Sequence, residues 1–341
     1  MRLLITLLLA LALLTGLGSY AHWIAQRPSS HYLSDLRSQV ALDIGEPGPR
    51  GNLLGIQPEL FPADYQSLAR LRLKLAAYLD HAREQGMLNE RTVVVLPEHI
   101  GTWLLAVGEK EELYHAAERR QAMHWLAASN PLDFLGALLS AGSEARLDDA
   151  MLRTKAKAMA RDYQQLFGDL ARDYQITLIA GSIVLPEPRI ERGRLEVGRG
   201  PLYNVSLVFD RTGKPLGQPQ RHAFEAGTLT TAAADTLQVL ETPAGRLGVL
   251  LGSDTRHLAR AQTPHHEAIE LLAMPSDLDD QTDDTPLIAH LQAHGIRAGL
   301  KVHLRGRLWE RSGQPSALAF DAGRSTHSAS DRGAQLVNIW L

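Results

Sequence analysis

An α/β layered fold built on a mixed sheet is the architecture this sequence predicts. Three observations carry that prediction. Short unbroken apolar runs recur along the chain, as in "RTVVVLPE" and "ITLIAGSIVL". Segments with helical spacing of apolar residues separate them. "DTLQVLETPAGRLGVLLGSD" doubles back through Pro243-Ala244-Gly245 as a hairpin. Apolar strands alternating with amphipathic helices bury their faces by stacking in layers. The hairpin and the closely spaced C-terminal strands mean that the sheet is not purely parallel.

The elements follow in order. "GNLLGIQPEL" reads as a buried strand. Leu68, Leu71, Leu75, Tyr78, Leu79 and Ala82 share one helical face, and Gly86 fits the C-cap. "RTVVVLPEHIGTW" is a β-branched strand ending in a Pro-Glu turn. A mostly helical stretch spans 109–174. "ITLIAGSIVL" is a strand, and "PLYNVSLVFDRTGKPLG" is a strand with a turn at Asp210–Lys214. "AIELLAMPSD", "GLKVHL", "PSALAFDAGRS" and "AQLVNIWL" are further strands, and "PLIAHLQAHG" is a short helix. Nothing between 51 and 341 marks an internal repeat or domain boundary, so one domain is expected there.

Composition excludes several classes of function. A chain of 341 residues that is 45% hydrophobic can fill a large core. Its net charge of −3 leaves no electrostatic footprint for nucleic acid. The absence of cysteine excludes disulfides, thiolate metal sites and every thiol mechanism. No cofactor or metal is expected. His265, His266 and Glu267 do not form H-E-x-x-H. Asp277, Asp279, Asp280, Asp283 and Asp284 lack EF-hand spacing and read as a solvated loop, with a calcium site as the sharper alternative.

The N-terminus points to export. Met1-Arg2 precedes a Leu-rich run with no polar face. The dense part, Leu3 to Leu14, with Ser19-Tyr20-Ala21 following, fits a cleaved signal peptide. Leu3 to Ala25 is also long enough to span a hydrocarbon core of about 30 Å as an uncleaved anchor, with Trp23 at the interface. Residues 26–50, rich in Pro, Gly and Ser, read as a linker or extended lead-in, which favours the anchor. Either way the body lies outside the cytoplasm, either on the inner membrane or in the periplasm or secreted space.

Glu98 closes a strand expected to be buried. A carboxylate there is desolvated, which raises its pKa and suits a general base. The plainer reading is an exposed strand-end glutamate.

Taken in order, "GIQPEL", "VVVLPEHIGTW", "ITLIAGSIVL", "GPLYNVSLVFDRTGKPLG", "GRLGVLLGSDTR" and "ELLAMPSD" resemble the nitrilase (carbon–nitrogen hydrolase) superfamily. Tyr203-Asn204 with Asp210 and Gly213 is the most characteristic piece. The resemblance implies a four-layer α-β-β-α sandwich, often dimeric, acting on small amides or nitriles through a Glu-Lys-Cys triad. It places the glutamate at Glu98, the lysine at Arg221 and the cysteine at Gly252, with Tyr203, Asn204, Asp254 and Arg256 around the pocket. Glycine has no nucleophile, and arginine keeps the charge in a bulkier planar head. Ser253 is the candidate substitute, but in extended chain it points to the opposite face, and "GSD" is not a nucleophile elbow. A second family glutamate has only Glu225 as an early candidate. The resemblance therefore implies a hydrolase scaffold whose thiol catalysis is lost. The alternatives are a hydrolase using Ser253 or a water activated by Glu98, and a structural subunit paired with an active relative. The helical stretch 109–174 is longer than the family usually has there and reads as a lid, an oligomer contact or a membrane-facing insert.

Overall fold

The protein is described by a computed structural model over residues 2–26, 32–132, 134–135, 146–222, 238–252, 269–279, 283–329 and 331–341. It opens with helix α1 (Arg2–Ala25), whose leucines from Leu3 to Leu17 are exposed. This is the one helix among the described residues long and apolar enough to cross a membrane.

Strands β1 (Ser38–Ile44), β2 (Asn52–Gln57), β3 (Glu59–Leu60) and β4 (Thr92–Val95) follow, with α2 (Leu68–Glu84) between β3 and β4. Ser67 caps α2 through its side chain, which accepts the Arg70 N–H at 3.2 Å. Gly86, at φ +74°, ends it as expected. Helices α3 (Glu111–His115), α4 (Arg119–Ser129) and α5 (Arg146–Tyr174) lead to β5 (Thr177–Ile179) and β6 (Ile183–Pro186). The run "ITLIAGSIVL" is thus two strands. Gly181 breaks it in a left-handed conformation, φ +65°. A small hairpin, β7 (Arg189–Glu191) and β8 (Arg194–Glu196), precedes the long hairpin β9 (Leu202–Phe209) and β10 (Pro215–His222). The turn between β9 and β10 is tied by Asp210, whose carboxylate accepts from the Thr212 and Lys214 amides.

The second half supplies β11 (Leu240–Thr242), β12 (Gly245–Val249), β13 (Leu271–Ser276), α6 (Thr285–Ala293), β14 (Ala298–His303), β15 (Arg305–Leu308), β16 (Arg311–Gly313), β17 (Leu318–Asp321), β18 (Arg324–His327) and β19 (Ala334–Trp340). One sheet runs β1-β19-β2-β4-β5-β9-β10, with β6 also paired to β9. The other runs β11-β12-β13-β14-β17-β18. Both are mixed, as the hairpins require. The lead-in 26–50 is not a linker throughout. Its segment Ser38–Ile44 pairs in parallel with β19, because β19 would otherwise leave one row of backbone groups unpaired at the sheet edge.

Strand alternation divides the buried residues among three cores. Leu54, Ile56, Val94 and Leu178 join α2 and α5. Leu53, Val93, Val95 and Ile179 meet Leu247, Ala273, Leu300 and Val302 across the space between the sheets. Leu272, Met274, Leu318 and Phe320 pack under α6. Three cores separate four layers, α-β-β-α. The sheets come closest at Gly55, where a Cβ would lie 2.4 Å from Val302 Cγ1. A methyl group there overpacks the centre of the sandwich. Gly55→Ala is expected to cost about 1–3 kcal/mol in urea unfolding, and Val302→Ala in the same chain is expected to recover part of the loss. An additive double mutant would show that the two side chains do not compete for this space.

Candidate functional site

The site lies at the carboxyl ends of β4 and β13, where the apolar strands give way to polar residues. Glu98 is only 5% exposed. Its backbone N–H donates to Ser276 O at 3.2 Å, joining the end of one sheet to the end of the other. Its Oε1 accepts from Asn204 Nδ2 at 2.8 Å. Asn204 is buried, and among the described residues its own Oδ1 has no hydrogen-bond partner. Ser206, two residues along the same face of β9, likewise has an unpartnered, buried Oγ. A buried acceptor left without a donor costs about 1–3 kcal/mol.

The turn holding Glu98 is fixed from below. Leu96 N donates to Ile179 O at 3.0 Å, and Gly101 N to Ser182 O at 2.9 Å. The His99 N–H donates to Ser182 Oγ at 2.8 Å, holding His99 at φ +60°. Its ring lies 3.1 Å from Thr102 Oγ1 through Nδ1. Nε2 stands 3.9 Å from Glu98 Oε1, beyond hydrogen-bond reach. Burial lowers the His99 pKa, with Asp277 opposing and Arg311 reinforcing that effect, so the neutral imidazole is favoured.

Arg221 is not brought to this carboxylate. In the β9–β10 register it stands opposite Val205, so it shares the face of Val205 and Tyr203. Its guanidinium lies 4.6 Å from the Tyr203 ring centre. Asn204 points the other way. On β10 the register sets His222 opposite Asn204, and Gln220, which pairs with Ser206, is 7% exposed and accepts the Gln238 N–H at 2.9 Å. Arg221, the residue the resemblance sets at the lysine position, thus shares its strand face with Tyr203 and not with Asn204.

Gly252 is buried just beyond β12. Val249 pairs with Ala273, and the Leu250 N–H donates to Ala273 O at 2.9 Å. Gly252 stands three residues past Val249, as Ser276 stands three past Ala273. Ser253, Asp254, Arg256, Glu225, His265, His266, Glu267 and Asp280 lie outside the described residues. The other acids of the predicted loop are engaged. Arg311 bridges Asp277 and Asp279, each at 2.5 Å, and Lys301 holds Asp284 at 2.8 Å. Asp283 accepts the Thr285 N–H at 3.0 Å at the start of α6. Among the described residues no three His, Asp or Glu side chains converge as metal ligands. His99, Ser206 and Gln220 escape a sequence reading because none carries a motif. Only the fold sets His99 beside Glu98 and Ser206 with Gln220 on the Asn204 side of β9 and β10.

Gly181 holds the geometry of the turn. A Cβ there would sit 2.0 Å from Pro97 O, against the residue before Glu98, in a left-handed backbone. Gly86 has the same backbone sign with nothing within 4 Å. Gly86→Ala is expected to cost about 1 kcal/mol, the left-handed penalty alone. Gly181→Ala should cost at least about twice that in the same unfolding measurement, because backbone must move as well. Equal losses would mean that the Pro97 contact is not constraining.

No family model matches the chain, and no curated protein does at the threshold applied. Solved structures do. The amidase from Nesterenkonia sp. AN1, a member of the nitrilase superfamily, superposes on this chain in several forms. A double mutant in complex with acrylamide is 14% identical, with a TM-score of 0.54, covering 87% of this chain and 93% of that one. The amidase itself is 14% identical, with a TM-score of 0.53 over 86% and 91%. A mutant in complex with butyramide is 15% identical, with a TM-score of 0.54 over 86% and 92%. At such identities the likeness is one of fold. Together with the four layers, it establishes that this chain, preceded by an apolar helix and lacking any cysteine, has the nitrilase, or carbon–nitrogen hydrolase, fold.

Proposed function

We propose that this is a membrane-tethered protein with a carbon–nitrogen hydrolase scaffold that has lost thiol catalysis and binds a small molecule carrying a primary amide. The observation that carries the reading is the pairing of Glu98 with Asn204. The carboxylate is retained, buried and oriented, while the strand end that would carry a nucleophile has Gly252. Glu98 and the Asn204 carbonyl are both acceptors. A primary amide offers two N–H donors to such a pair of acceptors, and a nitrile offers none. The solved amidase that shares the fold binds acrylamide and butyramide, so these are the natural probes. Glycine can supply no acyl acceptor, so binding without turnover is the outcome. Arg2 ahead of the apolar run supports a cytoplasmic start of α1 with the body outside.

Purified protein is expected to bind butyramide without hydrolysing it, and Glu98→Ala should weaken binding by about tenfold or more, the equivalent of 1.4 kcal/mol. Turnover of amides or nitriles that Glu98→Ala abolishes would overturn the reading. The cysteine-free chain permits a second measurement. Gly252→Cys introduces its only thiol. That thiol should add across the acrylamide double bond, giving one mass increment, at least about ten times faster than the exposed Ser325→Cys. Equal rates would mean that position 252 does not face an activating carboxylate.

A further inference from the structure

Beside the anchor helix the chain carries a second apolar surface that the amide site does not use. Leu132 and Leu135 are 84% and 56% exposed. They stand three residues apart in a helical turn just past α4, where Phe134 N donates to Asn130 O at 3.0 Å, so they share a face. The last turn of α4, which leads into it, is fastened to the end of α1. Tyr20 OH donates to Ala128 O at 2.6 Å, and the Trp23 indole N–H donates to Glu112 Oε1 at 3.3 Å. The Trp23 ring lies 6.2 Å from Trp125 of α4. Lys110 sits 4.6 Å from the Trp23 ring and bonds the Trp23 and Gln26 carbonyls at the helix end. Its neighbour Glu109 accepts from Ser129, Asn130 and Lys155, tying α4 and the turn after it to α5.

Depth follows from length. From Leu3 to Tyr20 an α-helix rises about 26 Å, close to the thickness of a hydrocarbon core. Tyr20 and Trp23 then stand at the level where aromatic side chains mark the membrane interface. Ala128, bonded to Tyr20 at that level, lies one helical turn before Leu132. We infer that the turn after α4 is a second membrane contact, with Leu132 and Leu135 seated in the phospholipid interface next to the anchor. The occupant is lipid because the patch is continuous with a helix that lipid already surrounds. Two contacts instead of one fix the body's tilt on the membrane, where a single helix would leave it to swivel. This inference rests on the reading of α1 as an anchor.

The test uses single-cysteine forms of the full chain, labelled with an environment-sensitive fluorophore and reconstituted into phosphatidylethanolamine–phosphatidylglycerol vesicles, with and without nitroxide-bearing lipid. Leu14→Cys reports the anchor, Leu135→Cys the patch, and Ser325→Cys the exposed β18 on the far sheet. Nitroxide lipid should quench the first two labels at least about twofold and leave the third unchanged. Quenching at 14 with position 135 behaving like 325 would overturn the second contact and leave the anchor standing. A shielded label at 135 that nitroxide lipid does not reach would mean that protein covers the patch, which also overturns it. No quenching at 14 would remove the anchor reading and this inference together.

Discussion

Strands β2 and β4 are buried on both faces, and that requirement shapes the rest of the molecule. A strand that is apolar on both sides must be covered twice, once by helices and once by another sheet. The second sheet can approach β2 closely because Gly55 leaves room for Leu300 and Val302. Polar side chains cannot enter such a layer without partners, so they collect at the ends of its strands. The candidate site is therefore where it is for reasons of solvation. β4 and β13 run out of apolar residues at the same end, and Glu98 and Ser276 meet there through a backbone hydrogen bond.

At that end the surroundings are built to hold one carboxylate still. Ser182 engages the His99 amide, the Ser182 carbonyl engages Gly101, and Gly181 fits against Pro97 where no other residue could. A site kept rigid around a glutamate and an unsatisfied amide oxygen is suited to binding, and the proposed ligand follows from its donor count. The same economy holds beside α1, where Glu109 and Lys110, neighbours in sequence, link α1, α4 and α5.

Most of the strand segments, the helices α2 and α6, the hairpin at Pro243–Gly245, the turn at Asp210 and the strand-end position of Glu98 were legible from the sequence because each rests on local pattern. Continuous β-branched runs, helical spacing and turn residues act over a few positions. The ordered motifs then pointed to a fold that superposition with the amidase bears out. Two expectations about the body went astray where local pattern has no reach. Pro and Gly density made 26–50 look like a tether, yet Ser38–Ile44 closes the edge of a sheet whose other member, β19, lies nearly 300 residues away. "ITLIAGSIVL" looked like one strand because its apolar run is continuous through the break at Gly181.

The sequence by itself determined the alternation of apolar strands with amphipathic helices, the missing thiol and the place of Glu98 at a strand end, since composition and periodicity are properties of the chain alone. Only the tertiary structure decided which side chains face that glutamate. Arg221 and Gln220 are neighbours in sequence and opposites in the sheet, and a shift of one position in a pleated strand turns a side chain to the other face. Register is set by pairing with β9, and β9 is placed by β5 and β6. The tertiary structure thus gave Glu98 its partner in Asn204, and left Arg221 to the ring of Tyr203.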